Sequence, residues 1–241
     1  MKGLLNPDNC YGDDRSSAAC SLFGMLDTTG RRFCGEPVIR AITNMHDRGN
    51  GLGGGFAIYG LYPAYPEHYA LHVMYMGRAA REQTEAYLRA EFHIDHAEPI
   101  PTELTPGVVN PPDVWRYFGL PRSLNGVADD DSVVRRVMHI NTQIADAFVF
   151  SSGKNMGVFK GVGYPEAVAQ HFRLHEYEGY LWTAHGRFPT NTPGWWGGAH
   201  PFNILDWTVV HNGEISSYGI NRRYLEMFGY HCTLQTDTEV A

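Results

Sequence analysis

Cys20-Ser21-Leu22-Phe23-Gly24-Met25-Leu26 stands near the start of a 241-residue chain and runs straight into Asp27-Thr28-Thr29-Gly30. The apolar run over 21–26 reads as a short buried strand, and the four residues after it are turn chemistry. A cysteine at the mouth of such a strand admits two readings. Most free cysteines are small buried apolar residues, and spacing alone does not exclude that here. The other reading makes Cys20 a nucleophile, which requires partners elsewhere in the chain to activate it and hold its substrate.

Composition narrows the field. With 43% hydrophobic and 13% aromatic residues the chain can bury a substantial core as one large domain or two small ones. A formal charge of -7 with interspersed signs offers no basic patch for nucleic acid or anionic lipid, so a small-molecule substrate fits better. No run approaches the ~18 apolar residues of a membrane span. Cys10, Cys20, Cys34 and Cys232 lack zinc spacing and are expected to be reduced thiols in a cytoplasmic protein. Ser17-Ala18-Ala19-Cys20 has the look of a lipoprotein cleavage box, but Asp8, Asp13, Asp14 and Arg15 stand where an apolar stretch would be needed, which argues against export.

Further along, Glu36-Pro37 opens a helix in which Val38, Ile39, Ile42 and Met45 recur at helical spacing until Arg48-Gly49. Gly49-Asn50-Gly51-Leu52-Gly53-Gly54 formally matches a dinucleotide fingerprint, yet it follows a helix and leads into the strand-like 56–59. A phosphate cradle needs the opposite order, so these glycines are expected to let main chain pass close to a site. Residues from about 62 to 146 read as an inserted α+β segment: a strand over 69–75, a helix over 79–92, a proline-rich link and a helix from Asp131. His93 and His96, on opposite faces of a strand end, read as solvated side chains and not as metal ligands. Strands follow over 147–151, 157–160, 180–184 and 207–211, with a helix over 165–174. Ser152-Gly153-Lys154 lacks the rest of a P-loop. Ser216 or Ser217 is expected to cap a last helix reaching Phe228, with Ile220, Tyr224 and Met227 or Phe228 on one face.

Three pieces of the second half complete the pattern: His185-Gly186-Arg187-Phe188-Pro189-Thr190, then His200-Pro201-Phe202, then Val210-His211-Asn212-Gly213-Glu214 with Thr236-Asp237-Thr238-Glu239. Together with Cys20 to Gly24 and Arg48-Gly49, their order and spacing resemble the class II glutamine amidotransferases, which are N-terminal nucleophile hydrolases. The glycine-rich run from Arg48 to Phe56 and the Trp195-Trp196 loop look most like the amidotransferase part of archaeal-type glutamate synthases. The resemblance implies an α+β fold, the four-layer αββα sandwich of that class. It also implies a leader over 1–19, a glutamine amidotransferase domain over 20–241 carrying the 62–146 insertion, and relatives that continue past Asp237 into structure this sequence lacks.

The residue types suit glutamine. Arg187 can take the α-carboxylate in a bidentate fork that lysine could not reproduce, and Asp237 can accept from the α-ammonium. Asn212 offers a side-chain donor and Gly213 an unobstructed backbone N–H, the makings of an oxyanion hole in which one donor is worth ~3 to 4 kcal/mol. Alone, Asn-Gly would be a hairpin turn. Cys20, once freed as the first residue, would attack the amide, with its own α-amino group as base. By resemblance Arg48 sits near that amine and holds it neutral, although bracing the loop is an equally good role for it. Phe188, Pro189 and Thr190 resemble the loop that folds over bound glutamine, and the tryptophans either exclude water or simply pack. His185, His200 and His211 read as core residues or as supports behind the site. The products would be glutamate and ammonia, the latter passed to a synthase partner. No flavin or iron–sulfur motif is visible in these residues, so FMN and an iron–sulfur cluster are expected only on that partner.

Two features depart from the family: Ser21 replaces a usual glycine after the nucleophile, and the Ala19-Cys20 peptide must be cut before Cys20 can act. Two other functions stay open. A cysteine amidase for another amide would keep Cys20 and Asn212 without needing both Arg187 and Asp237, and a non-catalytic scaffold of a larger synthase would retain its leader.

Overall fold

The computed structural model describes residues 19–123, 129–188, 194–234 and 236–241. In chain order the elements are β1 (Ser21–Leu26), β2 (Phe33–Cys34), α1 (Glu36–Thr43), β3 (Gly54–Tyr59), β4 (Tyr69–Tyr75), α2 (Arg78–Glu91), β5 (Phe92–Pro99), β6 (Asp113–Pro121) and α3 (Asp130–Gln143). They continue as β7 (Ala147–Ser151), β8 (Met156–Gly161), α4 (Pro165–His171), β9 (Glu178–Gly179), β10 (Leu181–Gly186), β11 (Phe202–Ile204), β12 (Trp207–Val209) and α5 (Tyr218–Glu226). A first sheet runs β1-β10-β3-β8 and a second β5-β6-β4-β7, with β2 and β9, and β11 and β12, forming two-stranded pairs. Every pairing is antiparallel. This mixed α+β architecture is compatible with the fold that the resemblance implies.

Alternation along the strands of the second sheet sorts its side chains. In β4, Tyr69, Leu71, Val73 and Tyr75 join Leu88 of α2 and Val133, Val137 and Ile140 of α3, whereas Ala70 and Met74 join Phe56, Ile58 and Val158 of the first sheet. Val149 of β7 points with the first set and Phe150 with the second. Because side chains alternate across a strand, one sheet can serve a helical layer and a neighbouring sheet at once. All seven residues of β4 are buried in consequence. Residues 62–146 thus hold β4, α2, β5, β6 and α3, three of the second sheet's four strands and both of its helices.

On the first sheet, α1 and α4 lie against β10, β1 and β3. Pro37 at the start of α1 presets its first turn, and Val38 and Ile42, one helical turn apart, are fully buried. Each contributes roughly 1.5–3 kcal/mol relative to exposure. Trp182 of β10 fills the space over Gly35, where any Cβ would collide with its ring. Asp129 caps α3 by accepting from the Ser132 N–H at 2.9 Å, and Asp130 and Asp131 complement its positive end.

Several boundaries differ from expectation. The helix expected over 165–174 ends at His171 because Arg173 turns left-handed, φ 54°, and a 3-10 turn follows. Ser217 does occupy the cap position of α5, but with φ 59° and no capping hydrogen bond from its side chain. The apolar face of α5 is not buried either: Ile220 is 64% and Met227 80% exposed. Periodicity defined that face correctly; nothing in the described structure covers it. No helix among the described residues is long and apolar enough to cross a membrane.

Close approach explains the glycine-rich run. A Cβ on Gly55 would collide with the His200 carbonyl and stand 2.7 Å from the Lys160 Cβ, and one on Gly54 would stand 2.8 Å from the Pro165 nitrogen. Gly55→Ala is therefore expected to destabilise the fold by ~1–3 kcal/mol through overpacking, while Gly219→Ala in α5, where the space is open, is neutral or mildly stabilising. Urea titration of both variants checks this; equal midpoints would refute the crowding.

Among the described residues His72, His171, His185 and His200 are buried, and burial lowers all four, which keeps the rings neutral. His72 sets Nδ1 against the Val158 carbonyl at 2.9 Å, so Nδ1–H donates and Nε2 accepts from the Tyr62 hydroxyl at 2.7 Å. Burial pushes His72 down to about 3 and His185 to about 4, and lowers His200 as well, from an ordinary 6.5. A depressed folded-state pKa means that stability is fully present above about 6.5 and drains as the unfolded chain takes up protons below it, at ~1.4 kcal/mol per pH unit for each histidine. The urea midpoint should fall markedly between about pH 7 and about pH 5, and His200→Gln should flatten the slope. A midpoint independent of pH over that interval would contradict neutral burial.

Candidate active site

The register of β1 on β10 builds the site. Ser21 pairs with Gly186, so the residue entering β1, Cys20, lies opposite the residues leaving β10, Arg187 and Phe188. The Phe188 backbone N–H donates to Cys20 Sγ at 3.3 Å, and Cys20 is half-buried with a free thiol. Ser21 is regular buried strand without a positive φ, so glycine's backbone freedom is not used there; Gly186 opposite leaves the room that the Ser21 hydroxyl occupies. Ala19, still joined to Cys20, donates its N–H to the Arg48 carbonyl at 3.1 Å. Arg48 closes the 3-10 turn His46–Arg48 and so stands beside the Ala19-Cys20 peptide.

Arg187 is only 5% exposed. Its backbone N–H donates to the Gly53 carbonyl at 2.8 Å, and a Cβ on Gly53 would meet the Arg187 side chain at 3.2 Å. The glycine-rich run therefore does pass main chain along the site. Burial pushes the Arg187 guanidinium down, while Cys20 and the Asp237 carboxylate pull it up, so each of these two stands within electrostatic reach of Arg187. Asp237 opens the last 3-10 turn, Asp237–Val240, and its carboxylate accepts from the Ile215 N–H at 2.6 Å.

That bond ties Asp237 to the segment holding Asn212 and Gly213. His211 adds two more links: its carbonyl accepts from His185 Nε2–H at 2.9 Å, and its Nδ1 lies 3.2 Å from the Thr238 hydroxyl. Asn212 and Gly213 are exposed between these anchored neighbours, and a Cβ on Gly213 would press on the His211 ring at 2.9 Å. Pro189 and Thr190 lie outside the described residues, as do residues 1–18 of the leader. Trp196 is buried and donates to the Val109 carbonyl at 2.9 Å, and Trp195 donates to the Leu234 carbonyl at 3.2 Å, so both pack within the protein.

Behind Arg187, His185 and His200, read from the sequence as core residues or supports, are joined by Lys160, which the motifs did not disclose. His185 pairs with Gly55 and Gly55 with Lys160, so these positions form one row across three strands. The rings of His185 and His200 stand 4.1 Å apart, and neither His200 nitrogen has a hydrogen-bond partner among the described residues. Lys160 is 1% exposed. Its signal in the sequence was a lone charge inside the apolar run Val158-Phe159-Lys160-Gly161-Val162. A cavity of about 440 Å³ opens on the Lys160 side, lined by Phe150, Phe202, Leu234 and Glu239, and Cys20 does not border it.

Comparison with known proteins points the same way. Residues 130–236 match the family described as glutamine amidotransferases class-II, a span that includes Arg187, Phe188, Asn212 and Gly213 but neither Cys20 nor Asp237. An uncharacterized protein of Archaeoglobus fulgidus is 60% identical over 233 residues, 94% of this chain and 62% of that protein. The glutamine amidotransferase-like protein GlxB of Rhizobium meliloti is 34% identical over 97 residues, 40% of this chain and 32% of its own length. A glutamine–fructose-6-phosphate aminotransferase (isomerizing) of Sulfurisphaera tokodaii is 35% identical over 91 residues, 37% of this chain and 15% of its own. The chain thus spans less than two thirds of each of these relatives. Over residues 130–236, then, the chain is similar to the class-II glutamine amidotransferases.

Proposed function

We propose that this protein hydrolyses the side-chain amide of L-glutamine through a thioester on Cys20, and that the ammonia serves a synthase-type acceptor of the glutamate synthase kind. The observation that carries the reading is the convergence of the Cys20 thiol, under the Phe188 N–H, with the buried Arg187 cation and the Asp237 carboxylate. A free amino acid needs one fixed cation and one fixed anion for its two charged ends, and a buried site that leaves either unpaired rejects analogues lacking that group. A different amide would have no use for both, which favours glutamine over the wider class of cysteine amidases.

In this reading the Ala19-Cys20 peptide is cut first, by Cys20 itself, removing the leader over 1–19. The freed α-amine, beside Arg48, stays neutral under that cation's repulsion and takes the thiol proton. Sγ then attacks the amide carbon, and the oxygen gathers negative charge against Asn212 and the Gly213 N–H. Collapse breaks the C–N bond, the proton leaves with ammonia, and water hydrolyses the γ-glutamyl thioester to glutamate and regenerates the thiol. Phe188 and Thr190 would close over the bound amino acid. The two sheets with helices on their outer faces are read as the four-layer sandwich of N-terminal nucleophile hydrolases. FMN and iron–sulfur clusters would belong to the partner, and the setting is the cytoplasm.

Intact mass and N-terminal sequencing, run beside a glutaminase assay on one sample, should find a chain beginning at Cys20 that releases ammonia. A stable uncut chain without activity would instead make the domain a scaffold. Diazo-oxo-norleucine should label Cys20 and fail on Cys20→Ala; labelling at Cys10, Cys34 or Cys232 would move the site. Arg187→Ala and Asp237→Ala should each raise the glutamine KM roughly 10- to 100-fold with the fold intact, the loss expected for one charge-assisted bond. Wild-type KM values in both would remove the clamp.

A further inference from the structure

Lys160 is a buried cation with no place in the chemistry above. A charge taken out of water costs several kcal/mol unless it is hydrogen-bonded. Its ammonium donates to the Gly197 carbonyl at 2.9 Å and to the Pro201 carbonyl at 3.3 Å, and it lies 4.9 Å over the Phe202 ring. Both carbonyls belong to the 197–201 segment, one at each end. The slot that admits this segment exists because Gly55, between Lys160 and His185 in the row, has no Cβ to block the His200 carbonyl.

The same segment backs Arg187. A Cβ on Gly198 would lie 3.4 Å from an Arg187 guanidinium nitrogen, and the Ala199 methyl shares with the Arg187 side chain the space over Gly53. The Trp195 indole covers Gly197 and Gly198 and reaches the Leu234 carbonyl, and the Glu239 carboxylate holds the Thr233 and Leu234 N–H groups. The 197–201 segment is thereby held at both ends by Lys160 and covered over Gly197 and Gly198 by the Trp195 indole.

We infer that Lys160 is a positioning residue for glutamine, holding both ends of the segment that backs Arg187, so that substrate affinity depends on a cation that never touches substrate. The inference rests on the glutamine reading and deepens it. Glu239 of the last turn faces Lys160 with a charge that favours the ammonium; Arg187 disfavours it, and His200 and His185 stand beside it as neutral rings. Burial brings Lys160 down to about 7, so the ammonium is complete at lower pH and is lost as pH rises through neutrality. Loss of that charge weakens the grip on two carbonyls and with it the seat of Arg187.

Steady-state glutaminase kinetics of the processed protein test this. Lys160→Met is expected to raise the glutamine KM about 10-fold or more while kcat falls no more than about threefold and iodoacetamide alkylates Cys20 at the wild-type rate. Lys160→Arg, which keeps charge and donors, should recover part of the affinity. In the wild type, KM should climb as pH passes from about 6 to about 8.5, and this climb should vanish in Lys160→Met. An active wild type whose KM is flat over that range overturns the inference even if no Lys160 variant folds, and an unchanged KM in a folded Lys160→Met does the same. A wild type that releases no ammonia from glutamine removes the glutamine reading itself, and the inference with it.

Discussion

Pairing of β1 with β10 is the constraint on which the site depends. Because the two strands are antiparallel and Ser21 faces Gly186, the residue before one strand meets the residues after the other, 168 positions along the chain. A slip of one residue would invert every side chain of β1 between the faces of the sheet and carry Cys20 away from the Phe188 N–H. The register is held from both sides of β10: β3 pairs along its whole length on the other edge, and Trp182 and Ala184 are locked under α1. The Cys20 thiol is thus placed by pairing to a strand whose Trp182, Ala184 and His185 are fully buried, and its neighbours Arg187 and Phe188 come with it at no further entropic cost.

Across the same strands runs a row that a sheet would ordinarily fill with apolar side chains. His185, Gly55 and Lys160 stand there instead, with His200 above them. Low dielectric makes such groups expensive, and the fold offsets the expense in different ways. The histidines stay neutral, and Lys160 is satisfied by two carbonyls. His200 is the member of this layer whose ring nitrogens find no partner among the described residues.

Much of this was legible from residue types and spacing. β4 and β7 fall where alternation and apolar runs place them, and the order fingerprint that excluded a dinucleotide loop also foretold the close approach at Gly53 to Gly55. β1 forms over the expected 21–26 but is not the buried strand its apolar run suggested, because it lies at the edge of its sheet with Leu22, Met25 and Leu26 exposed. Arg187 and Asp237 stand out as candidates in the sequence because opposite charges at motif positions suit a free amino acid. Lys160 does not, since one lysine in a strand is usually a solvated side chain, and only its burial makes it exceptional. The exposed face of α5 shows the converse: periodicity tells which residues share a face but not what will lie on it.

The sequence by itself determined most of the local elements and which residue types could serve as a nucleophile or as charges suited to an amino acid, because these follow from side-chain chemistry and from periods of 2 and 3.6 residues. Only the tertiary structure decided that residues 62–146 supply most of a second sheet serving two layers, that Asp237 holds the chain beyond Asn212 and Gly213, and that a lysine lies buried behind Arg187. These depend on register and burial between segments far apart in the chain, and no local pattern encodes which distant backbone will accept a given hydrogen bond.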